Sequence, residues 1–126
     1  EQHKLIISLS KNIKKSNISG VVVDTIGFHY RAQSKEGSLN SYMARQLSDL
    51  KYLATQKNIP LILTNQVYSD INMEGKINLV GGDMVKNWCS CIIELQKTKN
   101  RKALISKPFR KEFSFEIKDR GISIIR

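Results

Sequence analysis

Apolar residues fall along this chain in three rhythms. From Gln2 to Lys15, Leu5, Ile6, Leu9 and Ile13 recur at steps of one, three and four, the stripe of an amphipathic helix. Lys11, Lys14 and Lys15 sit where a helix C-terminus favours cations. Two unbroken runs follow, Gly20 to Asp24 (GVVVD) and Leu61 to Thr64 (LILT), and these predict short strands covered on both faces. Between them Ser38 can cap a long helix with Leu39, Tyr42, Met43, Leu47, Leu50, Leu53 and Ala54 on one side. Pro60 cannot continue that helix. Two apolar strands joined by such a helix predict a βαβ unit with parallel pairing and a right-handed crossover.

The third rhythm occupies the C-terminal third. Trp88 to Leu95, Ala103 to Ser106, Phe113 to Ile117 and Ile122 to Ile125 are short β-rich runs, with turns at Asn100-Arg101 and Asp119-Arg120-Gly121. They predict antiparallel or mixed strands added to the parallel sheet. Phe28 to Ser38 and Val67 to Val80 lack periodicity and read as loops, and Asp83 to Asn87 reads as a single helical turn. The expected fold is therefore α/β, a parallel core with one βαβ unit, extended by antiparallel strands. Its 126 residues suit one compact domain or half of a larger one.

Charge changes this picture. The net charge is +10, and Lys97 to Arg126 holds ten Lys or Arg against Glu112, Glu116 and Asp119, which is +7 of it (10 − 3). Such an imbalance fits a polyanionic partner, nucleic acid above all, or else a solvated basic surface. No apolar run reaches the roughly 18 residues that span a bilayer, so no membrane role is expected. Cys89 and Cys91 are the only cysteines, expected as inert, buried thiols in a reducing, cytoplasmic compartment. The chain opens on Glu1 without a methionine, which raises the expectation of a fragment.

Candidate chemistry gathers at the ends of the two apolar runs. In open parallel sheets, ligands bind beyond the carboxyl ends of the strands. Asp24 stands there on one strand; Thr64, Asn65 and Gln66 stand there on the next. An aspartate after small apolar residues can hold a magnesium ion, usually through water, beside nucleotide phosphates. It can equally cap a turn. Gln66, at the start of a loop on the same sheet edge, can hydrogen-bond a terminal phosphate and order that loop, or be a surface amide.

VVVDT at 21–25, ARQL at 44–47, LILTNQV at 61–67, GGDMVKNW at 81–88 and the ending EFSFEIKDRGI follow one another as in the RecA-type recombinases, and the chain resembles their archaeal paralogues most. The resemblance covers nearly the whole chain and implies the C-terminal part, residues 1–126, of a RecA-like ATPase core of the P-loop NTPase type. It implies ATP and Mg2+ as cofactors, with Asp24 as the Walker B aspartate that helps hold magnesium, Thr25 beside it at the cofactor, and Gln66 as the catalytic sensor of the terminal phosphate. It implies two DNA-binding loops, Phe28 to Ser38 and Val67 to Val80, the second closed by Gly81 and Gly82. Arg31, Lys35 and Lys76 are then candidates for phosphate contact. The rings of Tyr30 and Tyr68 either stack on exposed bases or pack against strand ends. Trp88 reads as core.

Implied partners are DNA, chiefly single-stranded, the main recombinase or other repair proteins, and further copies of the chain. One departure matters. The phosphate-cradling loop G-x-x-x-x-G-K-[ST] occurs nowhere in these residues, and no water-activating glutamate can be assigned. The chain by itself is expected not to hydrolyse ATP. A non-enzymatic nucleic-acid-binding or recombinase-docking module with a degenerate RecA fold stays open as the alternative. Lys107, Arg110 and Lys111 flank Pro108 and read as a basic surface turn, in a region that relatives place near the nucleotide between protomers.

Overall fold

The computed structural model describes residues 2–12, 17–27, 36–69, 77–97 and 99–125. The chain divides into two compact units, Glu1–Trp88 and Cys89–Arg126, each taken by itself below.

The first unit contains α1 (Gln2–Asn12), β1 (Val21–Val23), α2 (Glu36–Lys57), β2 (Leu61–Leu63), β3 (Val67–Ser69), β4 (Ile77–Leu79) and α3 (Gly82–Trp88). The βαβ expectation holds: β1 and β2 pair in parallel with Val21 opposite Leu61 and Val23 opposite Leu63. Backbone bonds extend the ladder at both ends, from Val21 N–H to the Pro60 carbonyl (2.9 Å) and from Thr64 N–H to the Val23 carbonyl (3.0 Å). Around them the core gathers Ile6, Ile26, Met43, Leu47, Leu50, Leu53, Val80 and Val85. Helix α2 supplies four of these at steps of four and three, so one stripe faces inward along its length. Leu50 is fully enclosed.

Several expectations need correction. The long helix starts at Glu36, so Ser38 lies inside it rather than capping it, and the first loop is shorter than Phe28 to Ser38. Tyr42 is off the buried stripe and 57% exposed. Strands β1 and β2 are not covered on both faces, for Val22 and Ile62 are 65% and 56% exposed. The segment Val67 to Val80 is not all loop, because Val67, Tyr68 and Ser69 pair antiparallel with Leu79, Asn78 and Ile77. Trp88 belongs to α3 and is half-buried, with the Lys51 ammonium 5.6 Å from its ring centroid. The first helix is described to Asn12, and residues 13–16 lie outside the described residues.

The end of α2 follows local chemistry closely. Asn58 adopts a left-handed φ of 51°, and Ile59 N–H donates to the Ala54 carbonyl (3.0 Å) while Asn58 N–H donates to that of Thr55 (3.2 Å). This paired closure absorbs carbonyls that the last turn leaves without partners. Asn tolerates the left-handed region and a β-branched residue does not. Asn58→Val is therefore expected to lower unfolding free energy by about 1–2 kcal/mol, and Asn58→Gly to leave it near the native value, as read by urea unfolding.

The second unit is a four-stranded antiparallel meander in the order β5 (Ile92–Lys97), β6 (Arg101–Lys107), β7 (Lys111–Lys118), β8 (Gly121–Ile125). The predicted runs are all present, though β5 begins at Ile92 rather than Trp88, and among the described residues they pair only with one another rather than extending the parallel pair. Cys89 is half-buried and Cys91 exposed, so the pair of buried thiols is not found. Strand alternation sorts the side chains. Glu94, Leu104 and Glu112 are cross-strand neighbours, and Glu116 follows on that face. The opposite face carries Ile93, Leu95, Ala103, Ile105, Phe113, Phe115, Ile117, Ile122 and Ile124, with Lys97, Arg101, Lys107 and Lys111 as its charges. All three strand carboxylates thus share one side.

Candidate nucleotide and DNA site

Parallel register decides which side chains meet at the sheet end. Since Val23 is level with Leu63, Asp24 and Thr64 leave their strands side by side. The Thr64 hydroxyl donates to Asp24 Oδ1 at 2.5 Å, a charge-assisted bond that fixes the carboxylate's direction. Contrary to a buried strand end, Asp24 is exposed. Ile26 N–H donates to the Thr64 carbonyl (3.1 Å), which binds the turn after Asp24 to the same strand. The Asp24–Thr25 peptide is cis. The Thr25 carbonyl accepts a bond from Gln2 Nε2 (3.2 Å), and its buried hydroxyl has no partner among the described residues.

The next residues build a junction. Asn65 Nδ2 donates to the Val80 carbonyl at 2.7 Å, while Asn65 Oδ1 accepts from Gln66 N–H at 2.8 Å. Val80 N–H donates to the Gln66 carbonyl at 3.1 Å. One amide side chain therefore ties the end of β2 to the residue that closes the β3–β4 hairpin. Gly27 lies against the same point: a Cβ placed there would stand 2.5 Å from Asn65 Oδ1 and 3.0 Å from Val80 Cγ1. Gly81 follows Val80 at φ 79°, and its own Cβ would meet Met43 Sδ and Val85 Cγ2, each at 2.7 Å. The stems at Gly27 and Gln66 thus share one packed joint.

Asp24, Thr25 and Gln66 are accordingly at the carboxyl end of the parallel pair. Gln66 is half-buried, and the bonds described for it run through its backbone. Tyr68 sits on β3, 48% exposed, opposite Asn78. Arg31, Lys35 and Lys76 lie outside the described residues, as does Tyr30. Asn65 was not assigned a role from sequence. The available signal was its position directly after an apolar strand, where short amide side chains commonly bond to nearby backbone.

The donor set fits magnesium held through water. Asp24 offers an exposed, oriented carboxylate and Thr64 a hydroxyl beside it, both hard oxygen groups. Among the described residues no cluster of three or more His, Cys, Asp or Glu could cage a metal directly, so water and phosphate would have to complete the shell.

The Rad51 family model matches residues 1–124. The chain is 34% identical to the DNA repair and recombination protein RadB of Thermococcus sibiricus, over 99% of this chain and 57% of that protein. It is 33% identical to RadB of Methanocaldococcus jannaschii, over 99% of this chain and 61% of that one. The crystal structure of the RadB recombinase superposes with a TM-score of 0.77 at 34% identity, covering all of this chain and 60% of that chain. The chain spans about three-fifths of the length of these relatives. A RecA-like α/β architecture, matched across its whole length, makes this chain a member of the Rad51 family.

Proposed function

We propose that this chain forms the nucleotide- and DNA-facing part of a RadB-type DNA repair and recombination protein. The observation that carries the reading is the alignment of β1 with β2, which places the Asp24–Thr64 pair and the Asn65–Gln66 junction on one sheet end. Bound Mg-ATP would supply a compact negative charge there. Asp24, steadied by Thr64, would hold magnesium through water by accepting a hydrogen bond, and the ion would offset phosphate charge. Gln66 presents its amide at the start of the β3–β4 segment. Because its carbonyl and the Asn65 side chain both bond Val80, a shift of Gln66 is passed to the hairpin stem. The segment between β3 and β4, with Lys76, together with Arg31 and Lys35 before α2, is assigned to the backbone of single-stranded DNA, and Tyr68 to stacking.

The phosphate-cradling loop is not among these 126 residues, so the nucleotide part of the reading applies to a chain that carries it. The cytoplasm is the proposed place of action, with a principal recombinase and further copies as partners. No helix among the described residues is long and apolar enough to cross a membrane.

The test is magnesium-dependent binding of a fluorescent ATP analogue to the full-length gene product. Asp24→Asn keeps size and removes the charge. It is expected to weaken magnesium-dependent affinity about tenfold or more, which is roughly 1.4 kcal/mol, while thermal unfolding stays near native. Unchanged affinity would remove Asp24 from the nucleotide site.

A further inference from the structure

The turn after β1 is held from two sides. Thr64 supplies one of them. Its N–H donates to the Val23 carbonyl (3.0 Å), its hydroxyl donates to Asp24 Oδ1 (2.5 Å), and its carbonyl accepts from Ile26 N–H (3.1 Å). Three bonds to a single residue fix the turn along one line and would leave it free to rotate about that line. The other side is α1. Gln2 Nε2 donates to the Thr25 carbonyl at 3.2 Å, across 23 residues of sequence and in a partly buried place. Gln2 stands one helical turn before Ile6, which is 5% exposed, so the face of α1 that enters the core also carries the amide to the turn. The Thr25 side chain gives no such hold, for its buried hydroxyl has no partner among the described residues.

We infer that Gln2 is a positioning residue of the nucleotide site, acting on Asp24 through the Thr25 carbonyl. The inference rests on the reading of Asp24 as the carboxylate that faces magnesium. Gln2 needs no contact with nucleotide or metal for this role. It fixes the residue after Asp24, and so the direction in which the carboxylate leaves the backbone, while Thr64 fixes the far end at Oδ1. Near-octahedral magnesium tolerates little misplacement of the groups around it, so a wandering carboxylate binds its water shell poorly. An amide suits the task better than a cation or a carboxylate would. It donates to the carbonyl without charge, so it neither competes with magnesium for Asp24 nor adds to the negative charge there. With the donor gone, the Thr25 carbonyl is left with its hydrogen bonding unmet, and the turn is held along the Thr64 line alone.

The test uses the full-length gene product with Gln2→Met, which keeps the length of the side chain and removes the donor, folding being followed by circular dichroism. Without nucleotide or magnesium, hydrogen exchange at the Ile26 amide, read by NMR, should quicken about threefold or more. Magnesium-dependent affinity for the fluorescent ATP analogue should fall about 2- to 10-fold. In an Asp24→Asn background the same substitution should change affinity by less than about twofold, because Gln2 acts through that carboxylate. Unchanged exchange or unchanged affinity in Gln2→Met, with Asp24→Asn still weakened, overturns the positioning role and leaves the RadB-type reading intact. A loss just as large in the Asp24→Asn background overturns it too, since the effect would then bypass Asp24. Unchanged affinity in Asp24→Asn itself removes both readings.

Discussion

Leu50→Ala is expected to remove about 3–5 kcal/mol of stability, the largest effect of any single side-chain truncation in the first unit. Leu50 is fully enclosed, and Met43, Leu47 and Leu53 on the same helix are nearly so. Truncation loses the transfer of apolar carbon from water and leaves a void that packed neighbours fill only in part. Since a small domain holds about 5–15 kcal/mol in all, the variant should be largely unfolded at moderate urea. Tyr42→Ala, one helix face away and 57% exposed, should change stability by less than about 1 kcal/mol. If the two variants unfold at the same urea concentration, the described core is wrong.

The second large effect is expected at Gly27→Ala. Its new methyl would lie 2.5 Å from Asn65 Oδ1, an atom that cannot turn away freely because Asn65 bonds both Gln66 N–H and the Val80 carbonyl. Relief of the clash breaks at least one of these bonds and presses on Val80, which is buried. The cost should be about 2–3 kcal/mol, from buried polar groups left without partners. A double-mutant cycle isolates the cause: in an Asn65→Ala background the glycine substitution should cost at least about 1 kcal/mol less. Additive losses would mean that the joint is not mechanically linked as described.

Much of this was legible in sequence because the signals were local. The unbroken runs at Val21 and Leu61, separated by a helical stripe, specified the parallel pair, while its register came only with the structure. Pro60 marked the close of α2 in the same way, by residue chemistry at a single point, while the left-handed Asn58 and the Ile59 bond that shape the close came with the structure. The start of α2 was misread because Ser38 is a good cap but the two residues before it are also helical. The β3–β4 hairpin escaped notice for a different reason. Its strands are three residues each, Val-Tyr-Ser and Ile-Asn-Leu, and what holds their base is the Asn65 side chain in the connection between β2 and β3. Exposure of Val22 and Ile62 could not be anticipated either, since a continuous apolar run looks the same whether one or both faces are covered.

Asp24 is the case where sequence and structure divide the work. Position after an apolar run suggested a metal-linked carboxylate, but the Thr64 hydroxyl that aims it became visible only through strand register. The same is true of Gln66, whose place at the sheet end was readable and whose coupling to Val80 was not.

The face that holds Glu94, Glu112 and Glu116 also holds Lys102 and Lys118, paired with Glu112 and Glu116, while Lys97, Arg101 and Lys111 share the other face with no strand carboxylate, so the C-terminal meander carries an electric polarity across its thickness. A strand of phosphates approaching from a distance exerts a torque on such a slab and turns its carboxylate side away before any atoms touch. Orientation is thereby selected during diffusion, and adding salt should slow the encounter more than it hastens the parting.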